Sequence, residues 1–230
     1  MSDILEYQDR VVAFVDILGF KALTLASGAD LDARHKVSNL ISTFKLFEDF
    51  YREKLEFGHA TFFSDSFIVS MEAHQAWYLF RHTGQLCRYL LSQGLPCRGA
   101  ITAGQLHHND KVVVGPAFVR AYGLEQAAVY PRVMLDQSAL SLWSSDAQTW
   151  GLDCLMKTTV GGQAYIDIFN PRWADQFVPV PDDAPTDNRE YLKAASVRIR
   201  AGLSDNRGNG PVLTKYEWLA AECAHHQVSL

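Results

Sequence analysis

The sequence predicts an α+β fold, organised as one domain with a helical appendage at its C-terminus. The run VVAFV at 11–15 is apolar throughout, as in a strand buried on both faces. Between residues 31 and 55, apolar side chains recur mostly at spacings of three and four, which is typical of a long amphipathic helix. Two short apolar runs then flank Ser64-Asp65-Ser66, as in a β-hairpin with a polar tip. Strands and helices therefore alternate from the start of the chain.

The same alternation continues to residue 135. Gly94 suits the C-terminus of one helix, and Pro116 stands where another would begin. In chain order, the predicted elements are a helix at 75–93, strands at 96–107 and 111–115, a helix at 116–128 and a strand at 133–135. After about residue 140 the pattern is weaker. It indicates a hairpin formed by 153–159 and 164–169, followed by helices at 189–203 and 211–225.

Composition and charge restrict the function classes. The chain has 230 residues, of which 48% are apolar and 20% charged, and this balance excludes disorder, collagen-like repeats and coiled coils. A chain of this length buries roughly 70% of its unfolded surface, so it needs no disulfide or structural metal to fold. Its net charge of −5 argues against a nucleic-acid-binding protein, because phosphate neutralisation requires a surplus of Lys and Arg.

Several features of the sequence favour a cytoplasmic protein without membrane partners. No apolar run approaches the roughly 18 residues that span a bilayer. The opening segment MSDILEYQDR carries acidic residues and no apolar stretch, unlike a secretory signal. Four widely spaced cysteines form no CxxC pair, which indicates free buried thiols in a reducing compartment; they are Cys87, Cys97, Cys154 and Cys223.

Two aspartates stand at the ends of predicted strands. Asp16 terminates the apolar run at 11–15, and Asp65 lies at the hairpin tip. An unpaired carboxylate facing the core costs several kcal/mol, whereas one facing a cleft can bind a cation. If the two strands are neighbours, both carboxylates reach one edge of the sheet, where they could hold Mg²⁺ or Mn²⁺ for chemistry at phosphorus. Strand-end aspartates also serve as caps and turn formers, so a structural role stays open at this point.

His107 and His108 are a second candidate for metal binding. Adjacent residues on a strand point to opposite faces, so the two imidazoles cannot easily grip one ion. We therefore interpret them as part of a solvated turn.

Three segments resemble the motifs of class III nucleotidyl cyclase catalytic domains. FVDILGF is similar to the first metal motif, TFFSDSFIVS stands in the place of the second, and GPAFVRAYGLE resembles the later helix. Their order and distances agree across roughly residues 8 to 168. The resemblance implies a ferredoxin-like βαββαβ palm with a C-terminal hairpin and helical appendage, divided into a catalytic domain at 8–170 and C-terminal loop and helices at 171–230. It also implies a homodimer with composite active sites.

The same resemblance implies the site residues. Asp16, Asp65 and the carbonyl of Ile17 would bind two divalent ions, Mn²⁺ or Mg²⁺. The turn from Ile17 to Phe20 would offer backbone N–H groups to the triphosphate. The 3′-hydroxyl of a nucleoside triphosphate would attack the α-phosphate, and pyrophosphate would leave. The predicted substrate-binding residues are Phe14, Leu18, Gly19, Phe20, Thr61, Arg98 and Arg132.

Departures from the family pattern point to an unusual substrate. Thr61 stands where adenylate-type cyclases carry Lys and guanylate-type cyclases Glu, and Val112 stands where an Asp reads the purine. Val119 and Gly123 replace the Asn and Arg that stabilise the transition state. Arg120 is the nearest candidate for that role, with Arg98 and Arg132 behind it.

The departing pattern is similar to the bacterial pyrimidine nucleotide cyclases of the Pycsar anti-phage system. The matching segments are DILGF, FSDS, CRGAI, GPAFVRAYGLE and YPR. The resemblance implies synthesis of cyclic UMP from UTP, or of cyclic CMP from CTP, with a separate effector protein sensing the product. The pocket would be narrowed by a bulky side chain such as Phe50, Tyr51, Phe62 or Phe63. The alternative is a palm domain without catalysis that binds nucleotides or mediates dimerisation.

Overall fold

The computed structural model describes residues 5–55, 58–109, 111–150, 155–173, 181, 184–185 and 187–226. The strands are β1 (Gln8–Ile17), β2 (His59–Phe63), β3 (Ser66–Glu72), β4 (Cys97–His108), β5 (Val113–Val114), β6 (Val133–Leu135), β7 (Met156–Thr158) and β8 (Ala164–Ile166). The helices are α1 (Phe20–Ser27), α2 (Leu31–Lys54), α3 (Ala76–Ser92), α4 (Pro116–Ala127), α5 (Gln137–Trp150), α6 (Asn188–Asp205) and α7 (Gly210–His225), and a short 3-10 turn (Ala73–Gln75) precedes α3.

The sheet confirms the predicted α+β palm. Its strands follow the order β2-β3-β1-β4-β6-β8-β7, and β5 pairs with the end of β4. The central strand β1 is antiparallel to both β3 and β4. Two split β-α-β units therefore interlock, β1 to β2 through α1 and α2, and β3 to β4 through α3. This is the ferredoxin-like βαββαβ arrangement, extended by β6, β8 and β7.

The two faces of β1 are covered by different helices, which explains why its apolar run is continuous. Val11 and Val15 belong to the main core with α2 and α3, whereas Val12 and Phe14 pack beneath α4 on the opposite face. Because side chains alternate along a strand, Asp16 lies on the α4 face, in line with Phe14. The strand is thus buried on both sides until it reaches a carboxylate.

The predicted C-terminal appendage is also present. Helices α6 and α7 pack on each other, and α6 packs on α3. Arg88 of α3 donates to the carbonyl of Ile168 at 2.5 Å and to Asn188 at 2.6 Å, and its guanidinium lies over the Tyr191 ring. The predicted division near residue 170, between a catalytic domain and the C-terminal loop and helices, stays a prediction.

One helix lies outside what the sequence pattern indicated. Helix α5 was not predicted, although Asp136 caps it by accepting a hydrogen bond from the N–H of Ala139 at 2.9 Å. Helix α1 follows Gly19 directly, where a φ of 84° turns the chain out of β1. Cys87, Cys97 and Cys223 are buried free thiols, as expected, whereas Cys154 lies outside the described residues.

Candidate active site

The two predicted metal-binding aspartates lie together at the end of β1. Asp16 pairs in register with Ser66 of β3, and Asp65 occupies the turn just before Ser66. Ser66 Oγ lies 3.4 Å from Asp16 Oδ1. The N–H of Ile17 donates to the carbonyl oxygen of Asp65 at 2.8 Å, which fixes the turn against the strand. The neighbouring strands predicted from the sequence therefore bring both carboxylates to one edge of the sheet.

An arginine and a third carboxylate complete this cluster. Arg98 pairs with Asp16 across β1 and β4, and its Nε lies 3.9 Å from Asp16 Oδ2. The same Nε lies 2.5 Å from Oε1 of Glu125, whose side chain is fully buried. Nη1 of Arg98 donates to the carbonyl of Ala128 at 3.1 Å. Glu125 thus holds the arginine against Asp16, a role that the sequence analysis missed.

Negative charge dominates the electrostatics of the cluster. Burial, and after it the nearby carboxylates of Asp65 and Glu125, together raise the pKa of the Asp16 carboxyl to about 6, against the opposing effect of Arg98. A carboxyl with a raised pKa at the end of a strand is destabilising for the fold. Such a group is expected where function, rather than stability, requires it.

The donor set fits a divalent ion of the magnesium type. Mg²⁺ and Mn²⁺ prefer oxygen ligands, and Mg²⁺ is commonly held by one or two carboxylates, with waters and substrate phosphates filling the remaining positions. Asp16 and Asp65 supply that pair. In the described part of the chain, no group of three or more His, Cys, Asp or Glu side chains is arranged to hold a metal. Apart from a backbone carbonyl such as that of Ile17, an ion here would therefore take its remaining ligands from water and substrate, as a substrate-bound metal does.

The turn after β1 offers fewer N–H groups to an anion than the sequence suggested. The N–H of Ile17 is bonded to Asp65, and that of Leu18 donates to the carbonyl of Pro96 at 2.8 Å. An anion would therefore meet the N–H groups of Gly19 and Phe20 at the start of α1. Gly19 is exposed and Phe20 is half-buried against the main core.

The structure does not bring the other two predicted arginines to the carboxylates. Arg120 donates to the carbonyl of Ala103 at 2.5 Å and lies 3.5 Å from Asp136. Because Arg98 and Ala103 are five residues apart on β4, the two arginines are separated by roughly 17 Å along the strand. Arg132 instead lies among aromatic rings, 5.2 Å from the Tyr165 centroid and 5.8 Å from that of Trp218.

Thr61 belongs to a buried hydrogen-bond chain. Its Oγ1 lies 3.0 Å from Nε2 of His108, and Nδ1 of His108 lies 2.9 Å from Oγ of Ser70. Ser70 Oγ accepts from Nε of Arg10 at 3.0 Å. His108 is only 5% exposed, so the interpretation of His107 and His108 as a solvated turn is wrong for His108. His108 lies at the end of β4, and its imidazole contacts Thr61 of β2 and Ser70 of β3.

The bulky residues considered for a narrowed pocket are mostly core. Phe14 is buried and packs edge-on against Phe118 at 5.6 Å. Tyr51 is buried in the main core, where its hydroxyl lies 2.8 Å from His82 Nδ1. Phe62 and Phe50 also pack against that core, whereas Phe63 is 77% exposed at the hairpin. Only Phe63 of this set is free to meet a ligand or another chain.

The palm fold of this chain also occurs in known proteins. No family model and no curated protein matches the sequence. The chain is similar to the monomeric guanylyl cyclase domain of the RhoGC fusion protein from the aquatic fungus Blastocladiella emersonii, with 11% identity and a TM-score of 0.50 over 70% of this chain and 95% of that chain. It is also similar to a bacterial light-regulated adenylyl cyclase, with 14% identity and a TM-score of 0.51 over 84% of this chain and 59% of that chain.

At these identities the similarities establish the fold alone. The chain has the palm fold of class III adenylyl and guanylyl cyclase catalytic domains. Within the residues that the structure describes, no helix has the length and apolar character needed to cross a membrane.

Proposed function

We propose that the protein is a nucleotidyl cyclase that converts UTP to 3′,5′-cyclic UMP and pyrophosphate. One observation carries this proposal: Asp16, Asp65 and Arg98 converge at the end of β1 in a chain with the cyclase palm fold. A carboxylate pair beside an arginine is suited to bind a metal–triphosphate complex, because the carboxylates bind the metal and the guanidinium binds the phosphates.

The residues of this chain have distinct roles in the proposed reaction. Asp16 and Asp65, with the carbonyl of Ile17, would hold two Mn²⁺ or Mg²⁺ ions. Ions held there would neutralise charge on the phosphates and lower the pKa of the 3′-hydroxyl. Arg98, oriented by Glu125, faces the phosphates, and the start of α1 offers the N–H groups of Gly19 and Phe20.

The preference for uracil is supported by the direction in which the hydrogen bonds run in the chain that ends at Thr61. Arg10 can only donate to Ser70, and Ser70 is fully buried, so its hydroxyl proton must go to Nδ1 of His108. His108 then carries its proton on Nε2 and donates to Thr61. The Thr61 hydroxyl is left to donate outward. Its proton suits the O4 carbonyl of uracil, whereas the N4 amino group of cytosine could meet only the second lone pair of the same oxygen.

We further propose that the active form is a homodimer with composite sites. Arg120, the candidate for stabilising charge at the α-phosphate, is too far from Asp16 to act in the same chain. Helix α4 and its surroundings expose apolar side chains, including Val119 at 67% and Tyr122 at 49%, close in sequence to Arg120. A second copy covering this surface would carry its own Asp16 and Asp65 toward Arg120. Phe63, exposed at the β2–β3 hairpin, would contribute to the same contact.

We further propose second-messenger synthesis in anti-phage defence, with a separate effector protein that senses the product. The support for this role is the resemblance of the sequence to the bacterial pyrimidine nucleotide cyclases of the Pycsar system. The free buried thiols agree with a cytoplasmic location, where nucleoside triphosphates are available.

The proposal is tested by incubating the protein with each of the four nucleoside triphosphates and Mn²⁺, then identifying products by mass. Cyclic UMP as the main product, absent with Asp16→Asn, is the expected result. Cyclic CMP as the main product would support the alternative of a cytidylate cyclase, and a cyclic purine nucleotide would refute the pyrimidine assignment.

The second candidate is a nucleotide-binding or dimerisation module without catalysis. The replacement of the transition-state Asn and Arg positions by Val119 and Gly123 favours it. It predicts that the protein binds a nucleoside triphosphate and metal yet releases no pyrophosphate over hours.

A further inference from the structure

The C-terminal appendage brings a lysine to the edge of the candidate active site. Trp218 of α7 stacks on Tyr130 with centroids 5.7 Å apart, next to the strand that follows α4. Leu219 is buried and lines a small cavity with Cys97, the residue that precedes Arg98. Residues three and four apart share one face of a helix. Lys215 therefore lies on this same inward face of α7, one turn closer to the N-terminus of the helix.

The electrostatics agree with that placement. Lys215 is half-buried, and its pKa is lowered by burial and by the Arg98 guanidinium, while the Asp16 carboxylate acts in the opposite direction. An interaction with both groups requires that the ammonium lies near the cluster at the end of β1. This interaction is independent of the aromatic and apolar contacts that position α7.

Lys215 differs from Arg98 in having no hydrogen-bond or ion-pair partner among the described residues. The Arg98 guanidinium is held by Glu125 and by the carbonyl of Ala128. Among the residues that the structure describes, none accepts a hydrogen bond from the Lys215 ammonium or forms an ion pair with it within 4.0 Å. A half-buried cation without a partner is costly, because burial removes part of its hydration. Its cost is offset when an anion binds beside it.

We propose that Lys215 binds the β- and γ-phosphates of the nucleoside triphosphate, so that α7 forms part of the active site. The inference rests on the proposed function and extends it to a helix outside the βαββαβ palm. Lysine suits this task because its flexible stem carries a compact charge with three donors, which can follow a phosphate as it leaves. The two positive side chains then bind different parts of the triphosphate. Arg98 is held in place by the protein, whereas the Lys215 side chain can change its conformation.

The test is calorimetric binding of inorganic tripolyphosphate in the presence of Mn²⁺. We compare the wild-type protein with Lys215→Met, Lys215→Gln and Lys215→Arg, and use Lys193→Met, which removes an exposed lysine of α6, as the matched control. Lys215→Met and Lys215→Gln should weaken binding about 10- to 100-fold, as expected for one charge-assisted hydrogen bond. Lys215→Arg should retain most of the affinity, and Lys193→Met all of it. Two neutral variants are used so that, if one misfolds, the tripolyphosphate affinity of the other still tests the proposal.

Equal tripolyphosphate affinity in the wild type and the folded neutral variants would overturn the proposal. An equal loss with Lys193→Met would also overturn it, because the effect would then be one of net charge. The outcome is separable from that of the proposed function. Lys215-dependent binding in a protein that makes no cyclic nucleotide would refute the cyclase and leave the phosphate site, whereas cyclisation with an unchanged KM in Lys215→Met would refute the phosphate site alone.

Discussion

The N–H of Ile17 donates to the carbonyl oxygen of Asp65 at 2.8 Å, one step beyond the last residue pair of β1 and β3. This backbone bond anchors the hairpin tip to the end of the central strand. The positions of the Asp16 and Asp65 side chains are therefore set by the sheet itself and not by any interaction between the carboxylates. Either carboxylate can be removed without loss of the contact that places the other.

The first prediction follows from that independence. Asp16→Asn and Asp65→Asn should each abolish cyclic nucleotide formation, because no other described carboxylate can replace the missing metal ligand. In metal-free protein, each substitution should leave the melting temperature unchanged or raise it, since it relieves repulsion between like charges. Pyrophosphate release and thermal unfolding in EDTA measure the two effects.

Asp187 is the matched control for these substitutions. It caps α6 by accepting a hydrogen bond from the N–H of Glu190 at 2.8 Å, so Asp187→Ala should cost about 0.5–2 kcal/mol of stability and leave turnover intact. If Asp16→Asn behaved like Asp187→Ala, with a lower melting temperature and persistent turnover, Asp16 would be structural and the metal site would be wrong.

The second prediction concerns pH. The Asp16 carboxyl has a pKa of about 6 in the fold, against an ordinary value of 3.8. Between these values the folded state binds the proton more readily, so ionisation of Asp16 lowers the stability of metal-free protein as pH rises from about 4 to 6. Above pH 6 the full penalty, of order 1–3 kcal/mol, should be present.

The free energy of unfolding of Asp16→Asn, minus that of the wild type, isolates this effect, because buried histidines contribute equally to both proteins. The difference should be close to its minimum at pH 4 and reach a plateau near pH 7. A difference that does not change with pH would contradict a raised Asp16 pKa.

The third prediction tests the composite sites of the proposed dimer. Asp16→Asn and Arg120→Ala should each be inactive as pure proteins. A refolded 1:1 mixture contains heterodimers with one intact site, so it should regain up to about a quarter of the wild-type activity. Full activity of Arg120→Ala alone would remove Arg120 from the mechanism, and an inactive mixture that contains heterodimers would exclude a site shared in this way.

The fourth prediction concerns His108. Its pKa is lowered to about 3, first by burial and then by neighbouring His59, Arg10 and His107, so the ring is neutral at physiological pH. His108→Ala leaves the Ser70 hydroxyl without its acceptor and should cost about 1–3 kcal/mol. It should also weaken the preference for UTP over CTP, because Thr61 is no longer held as a donor.

His107→Ala provides the comparison within the same strand. His107 is half-exposed and points to the opposite face, so its removal should change stability by less than about 0.5 kcal/mol. Competition between UTP and CTP for the variant and the wild type measures the preference. An unchanged preference in folded His108→Ala would separate the hydrogen-bond chain from base selection.

The palm could be predicted from the sequence because its strands are long and its faces are distinct. The continuous apolar run ending in Asp16, and the polar tip at Asp65, both depend on local pattern, and both were found where they were expected. Helix α5 was not predicted because the apolar pattern is weaker after about residue 140. Asp136, directly after a strand, was a usable N-cap signal.

The remaining parts of the site depend on long-range contacts that no local pattern contains. The local sequence around Glu125 is that of a helix with an exposed acidic residue. Only the packing of α4 on β4 buries the Glu125 side chain against Arg98. His107 and His108 face opposite ways, as expected, with His107 near the carbonyl of Glu6 and His108 near Ser70. Only the long-range contacts of His108 with β2 and β3, which no local pattern contains, bury one of the two rings.

The packing of α6 against α3 has a consequence for how this chain can be shortened. Leu91 of α3 is enclosed by Tyr191, Ile199 and Leu219, residues that come from the last forty positions of the sequence. A protein cut after residue 170 would expose that apolar patch and leave Arg88 without its Tyr191 and Asn188 contacts. The palm and its terminal helices should therefore unfold together, and limited proteolysis should not release a stable palm without α6 and α7.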